Sequence, residues 1–174
     1  MSVDEPGGCY DEALEAWERG DLDAAADGFR RSIELAPMGS LRLPEAHSAL
    51  GQVLCALGDL AEARRELELA LEITRIVAGR DDRHIAVVVA RYFLADHLLR
   101  MKSPNEALGV VTPSIGVGSN REALLQVVRA QALAEIGDSA GARSSAIAAL
   151  QGAMNSEQKA RIQQQLAQIL DQMP

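Results

Sequence analysis

Apolar residues recur along this chain with the spacing of an α-helix rather than that of a β-strand. Residues 22–36 and 60–78 place most of their Leu, Ile, Phe and Ala side chains on or near one helical face. Thr112-Pro113 falls where a helix would otherwise continue, and an interior proline costs about 3 kcal/mol. The pattern predicts nine helices, near residues 8–19, 22–36, 44–57, 60–78, 82–101, a short or broken helix opening at Ser103 and Pro104, 120–136, 139–152 and 156–173.

A short turn recurs between the helices of each predicted pair. Each copy places a glycine at the end of one helix and a capping side chain at the start of the next. The copies begin at Gly20-Asp21, Gly58-Asp59, Gly137-Asp138 and, in degenerate form, Lys102-Ser103. Successive copies are 35 to 44 residues apart, which is the spacing that stacked helix pairs produce. Asp81 or Asp82 is predicted to cap the fifth helix.

Small and large apolar residues fall at fixed offsets from these turns. In the first unit they are Ala13, Ala25, Phe29, Ser32 and Pro37, and in the second unit Gly51, Ala63, Leu67 and Ala70. This pattern resembles the tetratricopeptide repeat over about residues 6–156, more strongly in the first two units than afterwards. The join over residues 71–86 also resembles the longer repeat of kinesin light chains.

The resemblance implies an all-α fold, a right-handed α-solenoid of about four helix pairs plus a C-terminal capping helix. We expect a flexible tail over residues 1–7 and a single domain over residues 8–173. Within it the repeats cover about residues 6–39, 44–77, 88–121 and 123–156, and the capping helix covers residues 156–173. Such a helix covers the apolar flank of a last repeat.

Charge and composition narrow the choice of partner and compartment. The net charge of −8 argues against nucleic-acid binding, which needs a basic surface, and favours a basic protein partner. Two cysteines are too few for a disulfide framework. No signal peptide and no membrane-spanning stretch is expected, so the predicted protein is soluble and cytoplasmic. Its Ala, Arg and Leu bias is bacterial in style.

Motifs for catalysis are sparse in the sequence, and we predict neither an enzyme nor a bound cofactor or metal. His47, His84 and His97 have no second His or Cys at metal-ligand spacing. Asp96, His97 and Glu135 are the nearest candidates for a catalytic groove. Residues 116–120 could cradle a phosphate, but a flexible join is the preferred interpretation. The arginines Arg75, Arg80, Arg83 and Arg91 are interpreted as part of a solvated surface of mixed charge rather than an acid-binding site.

The resemblance also implies a partner-binding groove lined by the first helix of each pair. The residues at the corresponding positions are Tyr10, Leu14, Trp17, Ser48, Gln52, Tyr92, Phe93, Asp96, Leu99, Arg100, Gln131 and Glu135, with Cys55 and Val127 beside them. Aromatic side chains are rich in binding energy when a partner buries them. The alternative is that Trp17 and Phe93 merely pack between repeats. Relatives that clamp a chaperone's terminal carboxylate use Lys, Asn and Arg where this chain has Tyr10, Leu14, Ala49, Val89 and Phe93, so no such clamp is expected.

The predicted function is therefore that of a non-catalytic module that binds a protein partner in its concave groove, as an adaptor, chaperone or assembly factor. An immunity protein that neutralises a toxin is one alternative. A self-assembling structural unit is another, and a small-molecule receptor or an enzyme using the groove is the last. The sequence leaves open whether a peptide or a folded domain is bound, and the oligomeric state.

Overall fold

The computed structural model describes residues 6–37, 40–119 and 121–171, which form helices and turns with no β-strand among them. The helices are α1 (Pro6–Glu18), α2 (Leu22–Leu35), α3 (Leu43–Leu57), α4 (Leu60–Val77), α5 (Ile85–Arg100), α6 (Pro104–Val111), a 3₁₀ helix (Thr112–Ser114), α7 (Glu122–Glu135), α8 (Ser139–Gln151), α9 (Ser156–Gln165) and α10 (Ala167–Asp171). Two compact units divide the chain, one ending at Gly79 and one beginning at Arg80. The all-α prediction is confirmed. The single domain and its repeat boundaries stay a prediction.

The first unit consists of two helix hairpins, α1 with α2 and α3 with α4, and α2 packs against α3. Its core is formed by Phe29, Leu50 and Leu54, which are buried together. A Cβ atom added at Gly51 of α3 would lie 2.7 Å from Cγ of Leu67 on α4. The glycine therefore lets the two helices of this hairpin approach closely, as the repeat pattern implies.

The second unit also begins with two hairpins, α5 with α6 and α7 with α8, and α7 packs against both α5 and α6. The last two helices lie against the second hairpin. Ile162 and Leu166 are buried there among Val127, Ala130 and Ala146. These contacts cover the apolar flank that the last hairpin would otherwise expose to water.

The four predicted turns all contain a residue in the left-handed region of the backbone. The φ angles are +81° at Gly20, +89° at Gly58, +86° at Gly137 and +58° at Lys102. Three of these positions have glycine, which adopts this conformation without a steric penalty. Lys102 keeps the same turn geometry with a Cβ atom, so this copy of the turn is strained.

Replacing Lys102 by glycine is expected to raise the free energy of unfolding by about 0.5–1 kcal/mol, because it relieves the left-handed strain of a residue with a Cβ atom. Urea denaturation followed by circular dichroism measures the change. Lys102→Ala is the control, since it keeps the Cβ atom and loses the ion pair of Lys102 with Glu135, whose atoms are 3.7 Å apart and exposed. Equal stabilities of the two variants would contradict the strain argument.

Helix capping follows the prediction at two of the four turns. The Asp21 carboxylate accepts a hydrogen bond from the backbone N–H of Ala24 at 3.2 Å, and the Asp138 carboxylate accepts one from Gly141 at 2.9 Å. Asp59 and Ser103 occupy the same position, but their side chains make no capping hydrogen bond. The predicted capping by Asp59 and by Ser103 is therefore wrong.

The fifth helix begins at Ile85, three residues later than predicted, because both aspartates before it have other partners. Asp81 accepts hydrogen bonds from the backbone N–H and the guanidinium of Arg83, and the backbone N–H in particular lowers the pKa of Asp81. Asp82 pairs with Arg91. His84 caps α5 instead, and its Nδ1 accepts the N–H of Ala86 at 3.3 Å.

Two helices of the second unit are interrupted, one near Pro113 and one at Leu166. α6 is short and passes at Thr112 into the 3₁₀ helix, which confirms the predicted break at Pro113. The segment predicted as one capping helix forms two helices, because Leu166 leaves the helical region with φ −108° and ψ 11°. The described residues therefore contain ten α-helices instead of nine. Residues 1–5 of the predicted tail, and residues 172–173 of the predicted capping helix, lie outside the described residues.

Candidate functional site

The predicted groove residues of the first unit lie on α1 and α3, and the α1 aromatic rings pack against one buried aromatic ring. Phe29 has no exposed surface, and the ring of Tyr10 meets it edge-on with centroids 5.4 Å apart. The Trp17 ring is perpendicular to Phe29 at 6.2 Å. Leu14 packs against the same core, and all three α1 side chains remain half-buried. Trp17 therefore packs within its own unit and still presents part of its surface to solvent.

Tyr10 is held from its outer side as well. The guanidinium carbon of Arg42 lies 5.6 Å from the centre of the Tyr10 ring, a cation–π geometry. Arg42 also pairs with Asp11 at 3.2 Å. Burial, assisted by the nearby Glu45 charge, raises the pKa of Tyr10. The ring is thus a fixed, amphipathic contact.

The α3 members of the set are polar and half-buried. Nε2 of Gln52 donates to the carbonyl oxygen of Ser48 at 3.2 Å, one turn earlier on the same helix. Cys55, one turn later, is half-buried and makes no disulfide. These side chains can set the register of a bound segment, but they contribute less contact area than the α1 aromatics.

In the second unit α5 places two aromatic rings next to each other. The centroids of Tyr92 and Phe93 are 5.4 Å apart, and both side chains are half-buried. Burial, with the Asp96 charge as the next contribution, raises the pKa of Tyr92. Asp96 accepts a hydrogen bond from Nε of Arg100 at 3.0 Å on the next turn. Leu99, in contrast, is only 8% exposed and offers almost no surface to a partner.

The α7 members of the set are Gln131 and Glu135. Gln131 is half-buried near the middle of the helix, while Glu135 at its last residue is exposed and pairs with Lys102 at 3.7 Å. His97, between Asp96 and Leu98, is 1% exposed. Asp96, His97 and Glu135 therefore do not form a catalytic site. Asp96 and Glu135 each pair with a cation at the surface, and the His97 ring is buried.

A cleft of about 380 Å³ opens in the second unit beside Tyr92. Its apolar lining comes from α5, α7 and α9 through Tyr92, Leu124, Val127 and Ile162, and its rim includes Arg121 and Arg161. Of these residues, only Tyr92 and Val127 belong to the predicted groove residues or lie beside them. The sequence shows no local pattern that indicates α9 as a wall of a cleft.

Arg91 is buried, although the sequence analysis interprets it as part of a solvated surface. It is 5% exposed, and Nη1 donates to the carbonyl oxygen of Val110 at 2.6 Å while Nη2 pairs with Asp82. The hydroxyl of Ser114 donates to the carbonyl oxygen of Asp82 at 2.7 Å. Arg91 thus ties the segment before α5 to the end of α6, and its assignment to a solvated surface is wrong.

Residues 116–119 are engaged by the protein itself. The backbone N–H of Gly116 donates to a carboxylate oxygen of Glu122 at 2.9 Å, which places a negative charge where a phosphate would have to sit. Asn120 lies outside the described residues.

No cluster of His, Cys, Asp or Glu suited to a metal ion occurs in the described part of the chain. None of the helices described here is both long and apolar enough to span a membrane.

Helix hairpins with glycine turns and small residues at their contacts define a helical-repeat protein. The sequence model of the tetratricopeptide repeat matches residues 44–75, the second hairpin of the first unit. The chain as a whole has the fold of tetratricopeptide-repeat proteins, an α-solenoid of helix pairs, as predicted. Such repeats serve in general as protein–protein interaction modules.

Three solved structures illustrate the similarity. BtubC (BKLC) from P. vanneervenii is 17% identical with a TM-score of 0.73, covering 91% of this chain and 69% of that one. A putative kinesin light chain from Podosopora anserina is 14% identical with a TM-score of 0.73, covering 97% and 88%. YrrB, described as a TPR protein with an unusual peptide-binding site, is 16% identical with a TM-score of 0.61, covering 94% and 86%. No curated protein matches the chain.

Proposed function

We propose that this chain is a non-catalytic module that binds a protein partner through the groove-side surfaces of its first helices. The observation that carries the proposal is the packing of Tyr10 and Trp17 against Phe29, which holds two large rings in place while leaving part of each exposed. Rings fixed in advance lose little conformational freedom when a partner covers them. Tyr92 and Phe93 offer a second pair of this kind in the second unit.

The same geometry supports a non-catalytic assignment. General acid–base catalysis needs a titratable side chain with an accessible position next to a substrate. Asp96 and Glu135 are each paired with a cation, and His97 is enclosed by the protein. Beside these ion pairs, the groove-side surfaces carry aromatic and amide groups, which suit recognition. An adaptor, chaperone or assembly factor uses a surface of this kind.

Removing the groove aromatics is expected to abolish partner retention without unfolding the chain. The test compares affinity purification from the source cell's lysate using the wild type and a Tyr10→Ala, Tyr92→Ala, Phe93→Ala variant. These rings are only half-buried, so their removal should leave the helices folded. Circular dichroism should therefore show that the wild type and the variant are both helical. A matched control carries Leu69→Ala, Ile76→Ala and Ile147→Ala, three exposed apolar side chains on second helices.

Loss of one retained protein in the aromatic variant alone supports the proposal. Loss in both variants, or in neither, contradicts binding through the first helices. Sedimentation of the purified wild type over a range of concentrations tests the alternative of a self-assembling unit, which a mass that rises with concentration, with no retained protein, would favour.

A further inference from the structure

The cleft beside Tyr92 is built from two different parts of the second unit. Tyr92 of α5 and the α7 side chains Leu124 and Val127 supply part of its lining, and Ile162 of α9 supplies another part. The helix that covers the last hairpin is therefore also a wall of a cleft. A volume of about 380 Å³ falls at the lower end of the range for ligand sites, about 300–1,000 Å³. It accommodates a few side chains, but no folded domain.

Most polar groups at the rim already have partners. The Asn155 carboxamide accepts the N–H of Gln158 at 2.8 Å, and Oε1 of Gln158 accepts the N–H of Met154 at 2.8 Å. Arg161 pairs with Glu157 one turn earlier on α9. No described residue pairs with the guanidinium of Arg121, whose residue is exposed at the start of α7. Arg121 therefore brings an available cation to the rim.

The charge around the cleft is opposite in sign to that of the whole chain. The pair of Arg161 with Glu157 is neutral, so Arg121 leaves the rim with one net positive charge in a protein of net charge −8. A guanidinium donates in parallel to both oxygens of a carboxylate. Next to an apolar lining, this arrangement complements a segment that carries a carboxylate close to an aliphatic side chain. The basic partner suggested by the overall charge does not match this rim.

We propose that this cleft binds a partner segment in which an aliphatic side chain lies next to a carboxylate, with the side chain between α7 and α9 and the carboxylate on Arg121. The inference rests on the proposed function, because it assigns the chemistry of one segment of the protein partner. It gives the capping helix α9 a role in recognition in addition to its role in covering the last hairpin.

Fluorescein-labelled peptide pools test this chemistry directly. Three pools of short peptides share a central Leu-Leu pair followed by Asp, Asn or Lys, with the flanking positions randomised, and fluorescence anisotropy measures binding to the purified chain. We expect the Asp pool to bind about two- to fivefold more tightly than the Asn pool, because Arg121 is exposed, and the Lys pool to bind most weakly. Equal binding of the Asp and Asn pools, or no binding of any pool, overturns the proposal.

Two variants and one control assign the preference to Arg121. Arg121→Gln should remove the preference for Asp, and Arg121→Glu should turn it towards Lys. Lys159→Glu makes the same change in net charge at an exposed position of α9 outside the cleft, and it should leave the preference intact. Similar behaviour of Arg121→Glu and Lys159→Glu overturns the assignment, because it would reveal an effect of overall charge.

The peptide-pool experiment can fail independently of the affinity purification that tests the proposed function. A wild type that still retains its protein partner but shows no pool preference contradicts only the cleft chemistry. Failure of both experiments contradicts the binding module itself. If the wild type self-associates and Arg121→Glu abolishes that association, a second copy of the chain occupies the cleft, and the partner segment proposed here is wrong.

Discussion

Phe29→Ala is expected to lower the free energy of unfolding by about 3–5 kcal/mol, which is a large share of the stability of a small domain. Phe29 has no exposed surface and contacts the core formed with Leu50 and Leu54. Its removal leaves a cavity and takes away the ring against which Tyr10 and Trp17 pack edge-on. The substitution therefore tests the core and the candidate site together.

Urea denaturation followed by circular dichroism and by fluorescence measures this effect. Trp17 is the only tryptophan of the chain, so its fluorescence reports on the first unit. Phe93→Ala is the matched control, because it removes a ring of equal size that is half-buried, and its expected cost is about 1–2 kcal/mol. Costs of similar size for the two variants would show that Phe29 is not the packing centre of its unit.

Replacing Arg91 by leucine is the second substitution with a large expected effect, a loss of about 2–4 kcal/mol. The buried guanidinium donates both to the carbonyl oxygen of Val110 and to Asp82. Leucine leaves the Val110 carbonyl and the Asp82 carboxylate without this donor. Since Asp82 is partly exposed and regains some hydration, the expected loss is smaller than for a fully buried pair.

Arg83→Leu provides the control for Arg91→Leu. Arg83 is exposed and pairs with Asp81 at 3.2 Å, so its loss should leave the free energy of unfolding almost unchanged. Urea denaturation of both variants by circular dichroism gives the comparison. The structural role assigned to Arg91 is wrong if the two substitutions have equal effects.

Much of the fold could be predicted because its determinants are local. Turn positions follow from Gly20, Gly58 and Gly137, since a left-handed residue ends a helix wherever it occurs. The break after Val111 follows from Pro113, which lacks an N–H group and clashes with the preceding turn. Boundaries were less accurate where capping depended on distant partners, as at Asp82 with Arg91.

The candidate site was predictable only in part. Tyr10, Tyr92 and Phe93 keep exposed surface whereas Leu99 is buried, and helical position alone could not indicate this difference, because burial depends on how neighbouring helices pack. Nor could it place Arg161 at a cleft, because α9 approaches Tyr92 only through the packing of the last hairpin.

The sequence by itself determined the helices, their turns and the repeat to which residues 44–75 belong, because periodicity, glycine and proline act within a few residues. Only the tertiary structure decided that Arg91 is an internal tie, that the C-terminal segment breaks at Leu166 and that Arg121 stands at the rim of an apolar cleft. Each of these depends on contacts between residues far apart in the chain, and a helical pattern specifies which face is apolar without specifying what covers it.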